Sequence, residues 1–499
     1  MANRSRHVAA SKVVPRSAKQ IPPSSTVRIS TPRMASAPKP AKRWQWGWFW
    51  SLLLLLAAGG GIFGSVQFSL QLIVNPQKLL WINQWIPGWI PTQVNGLKPP
   101  KTFAELRAEA HQNGQTLGEP LTLGKNQSAL DNSPVTDVLI PVLAKRTNCS
   151  SHCERIVELR LYQASTISSS IKGRSEPHYQ FVNQLPIGGL EESFVIAPLV
   201  DARSVDQGSS AVLPLTKWQR FAEKAPRPGV WLLLSGEWDE GDATIAYGQV
   251  LHYNPEQLHL SSKLQWTSPA GQLPEWQEIT GGGMAELVVD QTIGMEPQFE
   301  IYQVKPLNFR PSPLQLEPIS LAEFFLSDAT YQTAITFARS GLWSESWQRF
   351  QSFKQTGKPA SLTAQAQAQM DLIRWHSQAT ETQANQSWAS PSQQVLADLI
   401  DGRWANALQV FESSTETSLE TRTILKADMG RLEKRVKAAL RINPGQLEAK
   451  TWGALWVAAR TDRNRAILWL KKQPRTKPSD LTKITHLLQR LEASQLDLP

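Results

Sequence analysis

WQWGWFWSLLLLLAAGGGIFGSV, residues 44–66, is the stretch on which the reading of this chain turns. It carries no charge, and its length matches the roughly 20 residues a helix needs to cross a bilayer's hydrocarbon core. Trp44, Trp46, Trp48 and Trp50 read as an aromatic belt at a membrane interface, and the leucine run at residues 52–56 as the hydrocarbon-facing part. Gly59, Gly60 and Gly61 weaken a free helix but let another helix approach closely in lipid. Ala57-Ala58-Gly59 is small enough for signal-peptide cleavage, yet apolar character runs on through Phe63, Phe68, Leu70 and Val74 until Asn75-Pro76. The expectation is therefore an uncleaved single transmembrane helix over residues 44–74.

The flanks suit that reading. Residues 1–43 hold ten Lys or Arg and no Asp or Glu, with much Pro and Ser and no apolar period. Such a segment cannot offset its chain entropy by burial and reads as a disordered tail. Its cations, against Lys78 and Lys98 beyond the span, predict a cytoplasmic N-terminus, with the bulk of the chain extracytoplasmic. Residues 75–98 bring Trp81, Trp85 and Trp89 every four positions between prolines, the pattern of a segment lying on the membrane's far face. The tail also explains the formal net charge of +10, because the remaining chain holds 42 basic and 42 acidic residues. Nucleic acid is thus a poor partner for the main body.

Residues 99–116 predict a short helix, opened by the capping box Thr102–Glu105 and stopped at Gly114. From residue 117 to residue 306 short apolar runs alternate with turn residues. Strands are expected near 135–144, 155–162, 179–185, 193–199, 230–235, 243–253, 258–266, 285–290 and 298–304. Period-two alternation in several of them predicts an antiparallel sandwich or barrel-like domain with one buried face per sheet.

The chain has two cysteines, Cys149 and Cys153, placed between the first two of these strands. A disulfide closing the hairpin tip is the first reading. A metal site using His152 lacks a credible fourth ligand, and a redox pair lacks the usual spacing and surroundings. No metal or cofactor is expected. Glu237, Asp239, Glu240 and Asp242 form an acidic turn that reads as a hairpin tip, with a calcium loop or paired hydrolytic carboxylates as the sharper alternatives. No nucleophile elbow, phosphate loop or dinucleotide fingerprint occurs.

Prolines 306, 311, 313 and 318 mark a linker over residues 307–319, and residues 320–499 read as helical. Ser320–Glu323 offers a second capping box, predicting a helix from residue 320 to residue 339. A spacing then recurs: Gly341, Trp343, Ser346, Phe350, and again Gly402, Trp404, Ala407, Phe411. Glycine ends one helix, an aromatic begins the next, a small residue admits the paired helix, and a second aromatic fills the groove. Thr461, Arg463, Ala466 and Leu470 keep the small and apolar positions.

This spacing, with Ala439 and Pro444, resembles the second helix of tetratricopeptide repeats over about residues 320–475. Its intervals of 61 and 59 residues depart from the roughly 68 that two such repeats take. The resemblance implies a helical-hairpin solenoid that binds peptides or protein partners in a groove. The functional expectation is a non-enzymatic, membrane-anchored adaptor that presents a β domain and a helical domain to protein partners. The alternatives are an envelope carbohydrate- or lipid-binding protein, for which Trp218, Trp238, Trp266 or Trp276 would need exposed faces, or a polysaccharide hydrolase. Oligomeric state is left open.

Overall fold

The structure, a computed structural model, describes residues 100–127, 134–146, 154–165, 177–200, 208–240, 243–307, 314–356, 362–413 and 415–493. All of them belong to one compact unit, Gly96–Pro499. It is built as a stack: one helix, three antiparallel sheets, then a helical array.

The first sheet joins β1 (Lys101–Thr102), β2 (Thr116–Leu117), β3 (Leu121–Gln127), β4 (Pro134–Lys145), β5 (Glu154–Ser165) and β6 (His178–Pro186) in the order β1-β6-β5-β4-β2, with β3 also on β4. Helix α1 (Phe103–Gln112) starts at the Thr102–Glu105 capping box and packs Leu106 and Ala110 on Val138, Ile140 and Val142 of β4. A short ribbon of β7 (Leu190–Glu191) and β8 (Val212–Leu213) brackets helix α2 (Glu192–Ile196). The second sheet runs β12-β11-β10-β9, from β9 (Lys217–Arg220), β10 (Val230–Glu240), β11 (Ala243–Asn254) and β12 (His259–Ser268). The third runs β13-β14-β15-β16, from β13 (Glu275–Gln277), β14 (Glu286–Asp290), β15 (Phe299–Pro306) and β16 (Leu314–Pro318).

Strand alternation assigns each side chain to a layer. In β10, Leu232 and Leu234 face the first sheet with Leu139, Leu159 and Leu161, while Trp231 and Leu233 face the third with Trp276, Leu287 and Val289. In β14, Val288 points the other way and joins Ile301 under the helices. A fully buried carboxylate, Asp137, pins the first two sheets by accepting from Tyr253 Oη at 2.5 Å and Gln163 Nε2 at 3.3 Å.

The helical array holds α3 (Ala329–Ala338), α4 (Trp343–Thr356), α5 (Ala364–Ala384), α6 (Pro391–Asp401), α7 (Trp404–Ser413), α8 (Thr415–Ala427), α9 (Arg431–Ile442), α10 (Leu447–Arg460), α11 (Arg463–Lys471) and α12 (Pro478–Ala493). Helices α3 to α5 cover the third sheet through Tyr331, Ile335, Phe350, Met370 and Ile373. The rest share a second core around Trp404, Phe411, Trp452 and Leu455.

Four sequence expectations are corrected. The β region is not a single sandwich with one buried face per sheet: the consecutive apolar runs Trp231–Leu234 and Leu287–Val289 are buried on both faces, because each sheet is covered on two sides. The strand expected at residues 193–199 is helix α2, held by Thr267 Oγ1 donating to Val195 O at 3.0 Å. The helix expected from residue 320 begins at Ala329, where Asp328 caps the Thr330 and Tyr331 amides, and part of the expected linker is edge strand β16. The membrane-anchored, single-pass architecture with its extracytoplasmic placement is the fourth. No helix among the described residues is long and apolar enough to cross a membrane. Even α5, at 21 residues, carries Asp371, Arg374 and Glu381 along its length. The 1–43 tail, the 44–74 span, residues 75–98 and Trp44, Trp46, Trp48, Trp50, Trp81, Trp85 and Trp89 lie outside the described residues, as do Cys149 and Cys153.

Candidate functional site

Where the third sheet meets the helices, a cleft of about 500 Å³ opens between the start of β15, residues 319–322, the end of α3, and the first turn of α9. Its floor is apolar. Phe299 leads into β15, and its amide donates to His376 Nε2 at 2.9 Å. The other ring nitrogen, Nδ1, donates to Leu372 O at 3.0 Å, the ordinary bond of a side chain to the turn below it in α5. With one nitrogen accepting and one donating, the ring is neutral. Burial pushes its pKa down to about 4 against the opposing pull of the Leu372 carbonyl. Trp343, the first residue of α4, stacks on this ring at 4.0 Å and 24°.

Residues 319–326 form a strap over one side of the cleft. Gln369 Nε2 holds Ser320 O and Glu323 O at 2.6 and 3.0 Å, and Arg339 holds Leu321 O and Ala322 O at 2.6 and 2.7 Å. Arg339 also lies 4.4 Å from the Phe324 ring centroid. These ties explain why the segment is not helical. Its carbonyls are spent on tertiary partners, and Ser320 Oγ accepts from the Ala322 amide rather than capping a helix.

The far rim is cationic. Arg435 grips Glu296 through both terminal nitrogens, at 2.8 and 2.5 Å, and directs Nε at Gly341 O at 3.3 Å. Burial pushes the Glu296 carboxyl up, but the charge and hydrogen bonds of Arg435, helped by Arg431, outweigh it and hold the group below the usual carboxylate range. Arg431 and Lys434 of the same helix also line the cleft, and Arg339 lines it beside the strap. Among the described residues no carboxylate pairs within 4 Å with Arg339, Arg431 or Lys434.

The recurrent spacing falls on helix pairs. Gly341 and Gly402 both adopt left-handed φ, +79° and +82°, between α3 and α4 and between α6 and α7. Only glycine takes that conformation cheaply. Ser346 and Ala407 are fully buried, Ser346 Oγ donating to Ala334 O at 2.7 Å. Phe350 packs on Tyr331, and Phe411 on Trp452. Trp404 is buried and donates Nε1–H to Glu345 Oε1 at 3.1 Å, whereas Trp343 lines the cleft.

The other candidates do not assemble. Glu237 is exposed and pairs with Lys217 at 2.6 Å, and Asp239 accepts from Thr244 Oγ1 at 2.8 Å. Asp242 lies outside the described residues. Trp266 and Trp276 are buried in the core between the second and third sheets, and Trp218 and Trp238 are half-buried against the core between the first two. Trp266 and Trp276 thus offer no exposed face on which a sugar could stack. No group of three metal-ligating side chains occurs among the described residues.

Sequence reading missed Arg339, Arg431, Lys434 and Arg435. One signal was there. Helix α9 sets Arg431, Lys434 and Arg435 against the single acid Glu433 in its first five residues, although a helix's positive end favours acids. A local rule broken in this way marks a position set by something other than helix stability. No protein-family model matches the chain, and no curated protein is recognisably similar to it in sequence.

Proposed function

We propose that this chain is a non-enzymatic adaptor that holds a segment of a protein partner in the cleft between its third sheet and its helical array. One observation carries the reading: the cleft joins an apolar floor of Phe299, Leu321 and Trp343 to three cations that no described carboxylate pairs with inside 4 Å. Such a surface keeps its charge and apolar area available for a ligand. The helical array also supports it, since the tetratricopeptide-like spacing implies a partner-binding role.

The test is photo-crosslinking in cells, with a photoreactive residue at Ser340 in the cleft or at the exposed Lys471 of α11 as control. One defined protein adduct at position 340 and none at 471 is the expected result. No adduct at 340, or the same adducts at both positions, overturns the proposal.

A further inference from the structure

Resting on that reading, we infer that the segment the cleft takes is an acidic peptide with one apolar anchor residue. The charge balance around the cleft points to it. Glu296 is the one acid among the described residues that line the cleft, and the acids of and beside the first turn of α9 have partners of their own. Glu296 is held by Arg435, Glu433 pairs with Lys437 at 2.6 Å, and Asp428 accepts from the Gly430 amide at 2.9 Å and from Trp456 Nε1 at 2.9 Å. Arg431, Lys434 and Arg339 are left facing the same space. Lys434 is exposed and Arg431 half-buried, so a carboxylate can reach both without the cost of desolvating a deep charge. Arg339 spends two donors on the strap carbonyls, and its planar fork has five.

Below these cations, the Trp343 face and Phe299 offer an apolar surface in a cavity of about 500 Å³, room for one large side chain and the backbone that carries it. Carboxylates above and an apolar side chain below reproduce the arrangement of the cleft. Nucleic acid fits less well. Its backbone binding gains from a run of phosphate contacts along a charged stripe. Here three cations ring one recess, and the chain beyond residue 43 is neutral overall.

The experiment measures fluorescence anisotropy of labelled peptides on the full chain. One peptide has Asp and Glu around a single Leu, one has Asn and Gln instead, one keeps the acids but has Ser for Leu, and a single-stranded oligonucleotide of equal charge is the fourth probe. The acidic, Leu-bearing peptide is expected to bind, and to lose at least about tenfold in affinity when its acids are neutralised. A similar loss is expected with Lys434→Glu and Arg431→Glu, and at high salt. Lys434 makes no ion pair among the described residues, so Lys434→Glu with an unchanged thermal melt separates lost binding from lost fold, whereas Arg431 also acts on the Glu296 charge and its variant is read only if it melts like the wild type. Equal binding of the neutral peptide, tighter binding of the oligonucleotide, or no binding of the acidic peptide overturns the inference. A cleft crosslink that survives Lys434→Glu unchanged would remove the acidic ligand and leave the adaptor standing, whereas no crosslink at all removes the adaptor.

Discussion

Replacing His376 with Gln should change how the protein's stability depends on pH. The ring is buried to 1 % exposure and neutral, with a pKa near 4 in the folded chain against 6.5 for the ordinary side chain. Because the folded value is depressed, the unfolded chain binds the proton more readily between the two values. The ring's contribution is therefore complete above about pH 6.5 and is lost as pH falls toward about pH 4. One pKa unit is worth about 1.4 kcal/mol, so the whole window amounts to about 3 kcal/mol. Gln at 376 cannot titrate but can still offer an acceptor to the Phe299 amide. At about pH 7.5 the wild type should be more stable by about 1 kcal/mol, the net value of a well-placed hydrogen bond. By about pH 4.5 the order should reverse. Urea unfolding of both proteins across this range gives the difference, in which the shared titrations of His252, Glu345, Asp371 and Asp398 cancel. Hydrogen exchange at the Phe299 amide reads the same opening locally. A wild-type-minus-variant difference that stays flat from about pH 7.5 to about pH 4.5 would refute the neutral, buried ring.

Three more outcomes follow from the packing. Arg435→Met strips the partner from Glu296, so urea melts should show a loss of about 3–5 kcal/mol, largely recovered when Glu296→Leu is added. Gly402→Ala forces a side chain into φ +82° with its Cβ 3.2 Å from Glu345 Oε1, and calorimetry should register about 1–2 kcal/mol. Gly453→Ala places a methyl 2.3 Å from Trp469 Cη2, an overpacking that should cost about 1–3 kcal/mol in urea melts, and Trp469→Phe should relieve it because the clashing atoms belong to the larger ring.

Short-range features were legible in the sequence. The Thr102–Glu105 box opens α1, and the glycine-to-aromatic spacing marks two helix pairs whose left-handed glycines and buried small residues lie where the mechanics require. Eight of the nine expected strands fall on β4–β6, β10–β12, β14 and β15. What failed were inferences that needed tertiary partners. Ser320 and Asp328 are both good capping residues. The choice between them was made by Gln369 and Arg339, which lie beyond the segment and take its carbonyls. The layering was misread because period-two alternation in several expected strands suggested one wet face, while Trp231–Leu234, inside the strand expected at 230–235, already signalled two dry ones. The cleft was invisible for a simpler reason: its lining comes from segments far apart in the chain, and Glu296 and Arg435, which clasp each other there, are 139 positions apart.

That separation bears on the order in which the molecule is made. The second and third sheets pair by short hairpins, so they can form as soon as they leave the ribosome. The outer face of the third sheet, with Ile279, Val288 and Ile301, must then wait for α3 to α5, which complete it only at Ile373. At synthesis rates of about 5–20 residues per second, the roughly 55 residues between Pro318, the end of that sheet, and Ile373 leave an apolar sheet face uncovered for about 3–11 seconds. The nascent protein thus passes through a stage in which its third sheet is both folded and sticky. Holding factors that shield apolar surface during translation should matter most there, and the Glu296–Arg435 clasp can close only after α9 has emerged as well.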